Sequence, residues 1–305
     1  MDERRGAVAR GARRVGREAQ AQEAGRPNAG YVGGVSDLRT ALEAALGPIY
    51  RVEREVRPVG ECRMFVASEI PNGPELLVKV LPAKLSLAVD AGRFERELIL
   101  LADRLRHAGL VASRKGGRAG AYIYHTRAFV EGTTLRALLT RGGELPLRQA
   151  VGVLRDLLAG LAHAHAGRVV HGDLKPENVL LAEGRARVAD TGIVDAVERS
   201  LNGAGSGAAT VALCAGPYVA PERRGGGTPT PAGPRDDMFA VGVLAHEMLT
   251  GRLPAPESES LEEARSLPAW LGELVRRCLA LEPAERWPDA GAALATVGGP
   301  ARPAG

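Results

Sequence analysis

Val170-His171-Gly172-Asp173-Leu174-Lys175-Pro176-Glu177-Asn178-Val179-Leu180-Leu181 is the stretch on which the reading of this 305-residue chain turns. Apolar residues flank a short polar run, a pattern that predicts a loop held between two short buried strands. Such a loop can do chemistry. Asp173 can accept a proton from an attacking hydroxyl, Lys175 can neutralise a phosphoryl oxygen, and the Asn178 carbonyl is a hard oxygen donor suited to Mg²⁺. An ordinary solvated loop is the competing reading, and the rest of the chain decides between the two.

With 45% hydrophobic residues the chain has enough apolar material for one large core or two adjoining ones. The formal charge of +4 is concentrated at the start: residues 1–30 hold seven Arg against four acids. The remainder is nearly neutral, which argues against nucleic-acid binding. Cys62, Cys214 and Cys278 are far apart and odd in number, so neither a disulfide framework nor a zinc site is expected, and a reducing cytoplasm is. No uncharged apolar run of about 18 residues occurs, which predicts a protein without a membrane span.

The opening stretch resembles the catalytic loop of bacterial eukaryotic-like (Hanks-type) serine/threonine protein kinases, with Gly172 standing where that family usually has Arg. The Lys-Pro-Glu-Asn run is similar to the serine/threonine branch. The resemblance implies an α+β, two-lobed protein kinase-like fold with a β-rich N-lobe, a mainly helical C-lobe and ATP in the cleft. In chain order, residues 1–34 form an Arg/Ala/Gly-rich tail without hydrophobic period, expected to be disordered. Ser36 predicts an N-cap for a short helix within residues 35–47. Residues 48–130 are assigned to the N-lobe, 131–298 to the C-lobe, and 299–305 to a disordered end.

In the N-lobe, β-type runs cover Tyr50 to Val56, Met64 to Ala67 and Leu76 to Leu81. Lys79 lies in the third, where the family places its phosphate-anchoring lysine. Glu97 falls among Phe94, Leu98 and Leu101 on the inward stripe of the next helix, so a Lys79–Glu97 ion pair is expected. Of the family's glycine-rich loop only Gly60 remains. Ala128 and Val130 occupy the positions whose backbone carbonyl and amide read adenine. Leu77 replaces a small residue, and Arg127 stands at the gatekeeper position, where it either pairs with a phosphate or with Glu97, or blocks the pocket.

In the C-lobe, Leu147, Val151, Leu154, Leu158 and Leu161 predict a core-facing helix ending near Gly167. Asp190-Thr191-Gly192 resembles the metal-binding turn, so Asp190 joins Asn178 as an expected Mg²⁺ ligand. Glu222 of Ala220-Pro221-Glu222 is expected to pair with Arg286, and Asp237 to hold the catalytic-loop backbone. His171 is expected to brace the loop. Ala215 lacks the hydroxyl usual in the family. Ser200, Ser206 and Thr210 lie in a run expected to be flexible, and without an Arg at position 172 their phosphorylation is expected to have little effect.

The implied activity is transfer of the γ-phosphoryl of Mg-ATP to protein hydroxyls, with Asp173 and Lys175 catalytic. Two alternatives stand beside it: a pseudokinase acting as a scaffold or allosteric partner, favoured by the departures above, and a small-molecule kinase, disfavoured by Lys175-Pro176-Glu177, Glu222, Asp237 and Arg286.

Overall fold

The computed structural model describes residues 35–59, 62–203, 213–214, 216–224, 232–254 and 267–298. The chain divides into two compact units. The first comprises residues up to 102 with 112–133 and 199–203; the second comprises 103–111, 134–198 and 204 onward.

The first unit is built on a five-stranded antiparallel sheet. Its strands are β1 (Tyr50–Val59), β2 (Cys62–Glu69), β3 (Glu75–Val80), β4 (Ser113–Ala119) and β5 (Tyr122–Ala128), in spatial order β1-β2-β3-β5-β4. Alternation along β3 sends Leu76, Val78 and Val80 to one face and Leu77 and Lys79 to the other. Helix α1 (Val35–Leu46) covers the first face: Leu38 and Leu42 are buried with Val52, Phe65, Val78 and Tyr124. This helix is therefore part of the core, where the sequence set it apart. It begins at Val35, so Ser36 lies within it and does not precede it. Two more helices follow β3, α2 (Ala83–Ala88) and α3 (Ala91–Arg104). The opposite face of the sheet receives α3 through Phe94, Leu98 and Leu101. Close approach requires Gly116 on β4, where a Cβ would lie 2.4 Å from Leu98 Cδ1.

The second unit is mainly helical: α4 (Leu135–Gly142), α5 (Leu147–Ala166), α6 (Ile193–Arg199), α7 (Pro221–Arg224), α8 (Pro234–Thr250), α9 (Ala269–Cys278) and α10 (Ala290–Leu294). Helix α5 buries Ala150, Val153, Leu154, Leu157, Leu158, Leu161 and Ala164. The stripe is thus shifted at its start, leaving Leu147 and Val151 half-buried. Helix α8 is buried all round from Asp237 to Leu249, as expected of an element at the centre of a unit. A hairpin of β6 (Val179–Ala182) and β7 (Arg185–Ala189), with Leu110–Val111 parallel to β7, lies downstream of α5. No helix among the described residues is long and apolar enough to cross a membrane.

Leu42 is fully buried between α1 and the sheet. Leu42→Ala is expected to cost about 2–5 kcal/mol of unfolding free energy in urea titration. A loss within about 0.5 kcal/mol would show that α1 is not part of the folded core.

Candidate active site

Residues 167–178 connect α5 to β6, and their shape is imposed by one buried carboxylate on α8. Asp237 accepts from the backbone N–H of His171 (2.7 Å) and of Gly172 (2.9 Å), and from His165 Nε2 on α5 (2.9 Å). The tautomer of His165 follows from its other nitrogen, since Nδ1 accepts from the N–H of Ala290 (3.1 Å) and the proton must sit on Nε2. Burial acts to raise the Asp237 pKa, but the His165 hydrogen bond and the backbone donors outweigh it and hold the carboxyl below its ordinary value. His171 is fully buried. Its Nε2 donates to the Ala189 carbonyl (3.0 Å) and its Nδ1 accepts from the N–H of Asp173 (3.2 Å). Burial is the main cause of its lowered pKa, so the ring is a neutral brace between the loop and the end of β7.

The polar residues of the loop converge within that frame. Lys175 Nζ lies 2.9 Å from Asp173 Oδ1 and 2.6 Å from Oδ2. Asn178 Nδ2 donates to the Asp173 carbonyl (2.8 Å). With its nitrogen engaged in this way, the Asn178 carboxamide keeps its oxygen for another partner. Asp190 follows β7, is 6% exposed and has φ +64°, an uncommon backbone region that persists only where the surroundings enforce it. Asn178 and Asp190 offer hard oxygens that fit Mg²⁺. No group of three or more His, Cys, Asp or Glu side chains among the described residues forms a dedicated cage.

A second charged network lies nearby in the same unit. Arg286 is fully buried and pairs bidentately with Glu222, both contacts at 2.7 Å, while its remaining donors reach the carbonyls of Ala280 and Leu281. Sequence reasoning missed two further charged clusters in this unit. Arg136 on α4 contacts Glu177 (2.9 Å), Glu247 on α8 (2.7 Å) and the Tyr218 hydroxyl (2.7 Å), and that hydroxyl donates to Glu247. Arg223 pairs with Asp236 (3.1 Å). Glu247 carries a legible signal, because a carboxylate in the fully buried stretch of α8 needs a cation. A cavity opens beside the loop, lined by Asp173, Lys175, Cys214, Tyr218, Val219 and Arg223 among others.

The first unit departs from expectation at Glu97. Its carboxylate lies 3.9 Å from Arg199 and is not ion-paired with Lys79, which is buried on β3 directly opposite His125. Arg199 is brought there because residues 199–203 join the first unit: Leu201 forms a bridge with Val89, and the Ser200 carbonyl accepts from the N–H of Asp90 (2.8 Å). Ser200 is fully buried, so the expectation that it lies in a flexible run is wrong. Arg127 is 8% exposed, and its Nη1 lies 3.4 Å from the Ala128 carbonyl. Val130 follows β5 and is half-buried. Gly60, Ser206, Thr210 and Ala215 lie outside the described residues.

A hub that shapes a loop bearing Asp, Lys and Asn, followed by a second Asp at positive φ, is the arrangement that the resemblance to protein kinases leads one to expect. The chain belongs to the protein kinase domain family, whose model matches residues 62–294. Serine/threonine-protein kinase PknL of Mycobacterium bovis is 33% identical over 271 residues, which cover 83% of this chain and 66% of PknL. PrkC of Bacillus subtilis is 30% identical over 210 residues, covering 67% of this chain and 31% of PrkC. The PknI kinase domain of Mycobacterium tuberculosis matches in fold, with a TM-score of 0.63 at 21% identity, over 82% of this chain and 94% of that one.

Asp236 gives this site a pH signature. Burial first, and the adjacent Glu222, push its pKa up to about 6. A carboxyl raised in the folded state contributes stability that is fully present below its unfolded value and is lost as pH rises through about 6. Asp236→Asn, which mimics the protonated form, is therefore expected to raise the Tm at pH 8, with the gain shrinking as pH falls through about 6 and vanishing only below the ordinary carboxylate value of 3.8. An equal change at pH 8 and below the ordinary carboxylate value would contradict the raised Asp236 pKa.

Proposed function

We propose that the chain transfers the γ-phosphoryl group of Mg-ATP to serine or threonine hydroxyls of protein acceptors. The observation that carries this reading is the Asp173–Lys175–Asn178 cluster, in which Lys175 holds the Asp173 carboxylate, Asn178 holds the Asp173 backbone carbonyl, and Asp173 and Lys175 line a cavity. The relatives named above as serine/threonine kinases support it.

In this reading Asp173 orients the acceptor hydroxyl and takes its proton as the new O–P bond forms and the bond to the leaving ADP breaks. Lys175, already on Asp173, also stabilises the charge on the migrating group. Asn178 and Asp190 would hold Mg²⁺, which when bound would neutralise phosphate charge. Lys79 and Glu97 are assigned to anchoring the nucleotide, with Gly60 near its phosphates and the Ala128 carbonyl and Val130 amide on adenine. His171, Glu222, Asp237 and Arg286 are scaffold.

A second reading, a scaffold or allosteric partner without phosphotransfer, is favoured by two observations. Glu97 is engaged by Arg199, and the Arg127 guanidinium approaches the Ala128 carbonyl that adenine would need.

Asp173→Asn is expected to lower transfer at least about 10²-fold while ATP affinity by calorimetry stays within about twofold. Asp190→Asn should weaken Mg-ATP binding itself. Equal transfer by wild type and Asp173→Asn would overturn the enzymatic reading. The competition for Ala128 makes a separate prediction: Arg127→Met should tighten ATP binding, and weaker binding would make the guanidinium a nucleotide ligand.

A further inference from the structure

Gly172 is the residue immediately before Asp173, and its peptide groups are held from two sides. It adopts φ +79°, a region glycine enters without penalty, and a Cβ there would lie 3.3 Å from Val194 Cβ. The same freedom means that glycine does little to keep its own conformation, so external contacts must. On one side the Gly172 N–H donates to Asp237. On the other the Gly172 carbonyl, which belongs to the peptide unit leading into Asp173, accepts from the thiol of Cys214 at 3.1 Å.

The three cysteines differ in ways that bear on this contact. Cys62 and Cys278 are buried, at 6% and 0% exposure, whereas Cys214 is half-buried on the wall of the cavity that Asp173 and Lys175 also line. Burial first, and then the Asp173 charge, push the Cys214 thiol well above its ordinary pKa. It therefore keeps its proton at neutral pH, remains a donor and is a poor nucleophile. Its neighbour Ala215 carries no side-chain donor.

We propose that Cys214 is a positioning residue whose thiol proton holds the Gly172 carbonyl and so fixes the peptide that carries Asp173 toward the acceptor. This rests on the reading of Asp173 as the group that receives the acceptor's proton. Asp237 holds the amide side of Gly172 from the core, and Cys214 holds its carbonyl side from the wall of the cavity. Loss of the thiol leaves the Gly172–Asp173 peptide held only through the Asp173 N–H on His171, which loosens Asp173 without touching the groups assigned to the nucleotide.

The test compares wild type, Cys214→Ala and Cys214→Ser by steady-state transfer from ATP to a basic protein acceptor and by amide hydrogen exchange across residues 171–174. Cys214→Ala is expected to lower kcat about fivefold while the KM for ATP stays within about twofold, because a single S–H donor is weak. The hydroxyl of Cys214→Ser should restore most of the loss. Exchange at Gly172 and Asp173 should quicken in Cys214→Ala and not in Cys214→Ser. Wild-type kcat and unchanged exchange in Cys214→Ala would overturn the proposal, and so would a serine variant as impaired as the alanine one, which would make the contact one of packing. If wild type transfers no phosphate, the enzymatic reading fails, and the exchange comparison still decides whether Cys214 clamps the loop.

Discussion

The carboxylate of Asp237 is the constraint on which the candidate site depends. It sits at the start of a helix buried on every side, and three donors converge on it: the amides of His171 and Gly172, and the imidazole of His165. An ionised group at this depth is tolerable only if it is fully hydrogen-bonded, and removing a partner from such an arrangement costs about 3–5 kcal/mol. The requirement runs both ways. The loop gives its amides to satisfy the charge, and the charge holds the loop in the one shape that brings Lys175 and Asn178 to Asp173. Because the Asp237 pKa is depressed, this contribution is present above the ordinary carboxylate range and is lost as acid protonates the group.

From that hub, contacts radiate along the second unit. His171 couples the loop to the strand that delivers Asp190, while Arg286 ties Glu222 to carbonyls near the end of α9. Arg136 joins α4, the loop residue Glu177 and α8, with Tyr218 as a fourth member. Each of these cations is matched by carboxylates, as burial demands, and each link crosses between elements far apart in sequence. The loop over residues 167–178 is consequently held by contacts from elements far away in sequence.

This explains what was legible in the sequence. Asp173, Lys175 and Asn178 fall within six residues, so their juxtaposition needed only a tight loop. The apolar stripe of α5 was readable from its helical period, although the stripe was misplaced at Leu147 and Val151. Leu38 and Leu42 gave no sign of which sheet face they would cover, because periodicity shows that a helix face is buried and not against what. Glu97 was placed correctly on the helix face between Phe94 and Leu101, but its partner was not. An ion pair depends on which cation reaches it first, and Arg199 arrives from a segment some hundred positions downstream through the Leu201–Val89 bridge. Ser200 became buried for the same reason. His165, Asp236 and Cys214 were invisible because their roles arise from backbone groups of residues 172, 233 and 290.

The measurement that bears most directly on the account is transfer of label from γ-labelled ATP to a basic protein acceptor by wild type and Asp237→Asn, with ATP binding measured on the same samples. The account predicts labelled acceptor with wild type. It predicts that Asp237→Asn loses most of that transfer, because one carboxamide oxygen cannot serve the donors that two carboxylate oxygens hold, while ATP is still bound. Full transfer by Asp237→Asn would show that the hub does not shape the loop. Wild-type protein that binds Mg-ATP and labels nothing would contradict the phosphotransfer reading itself.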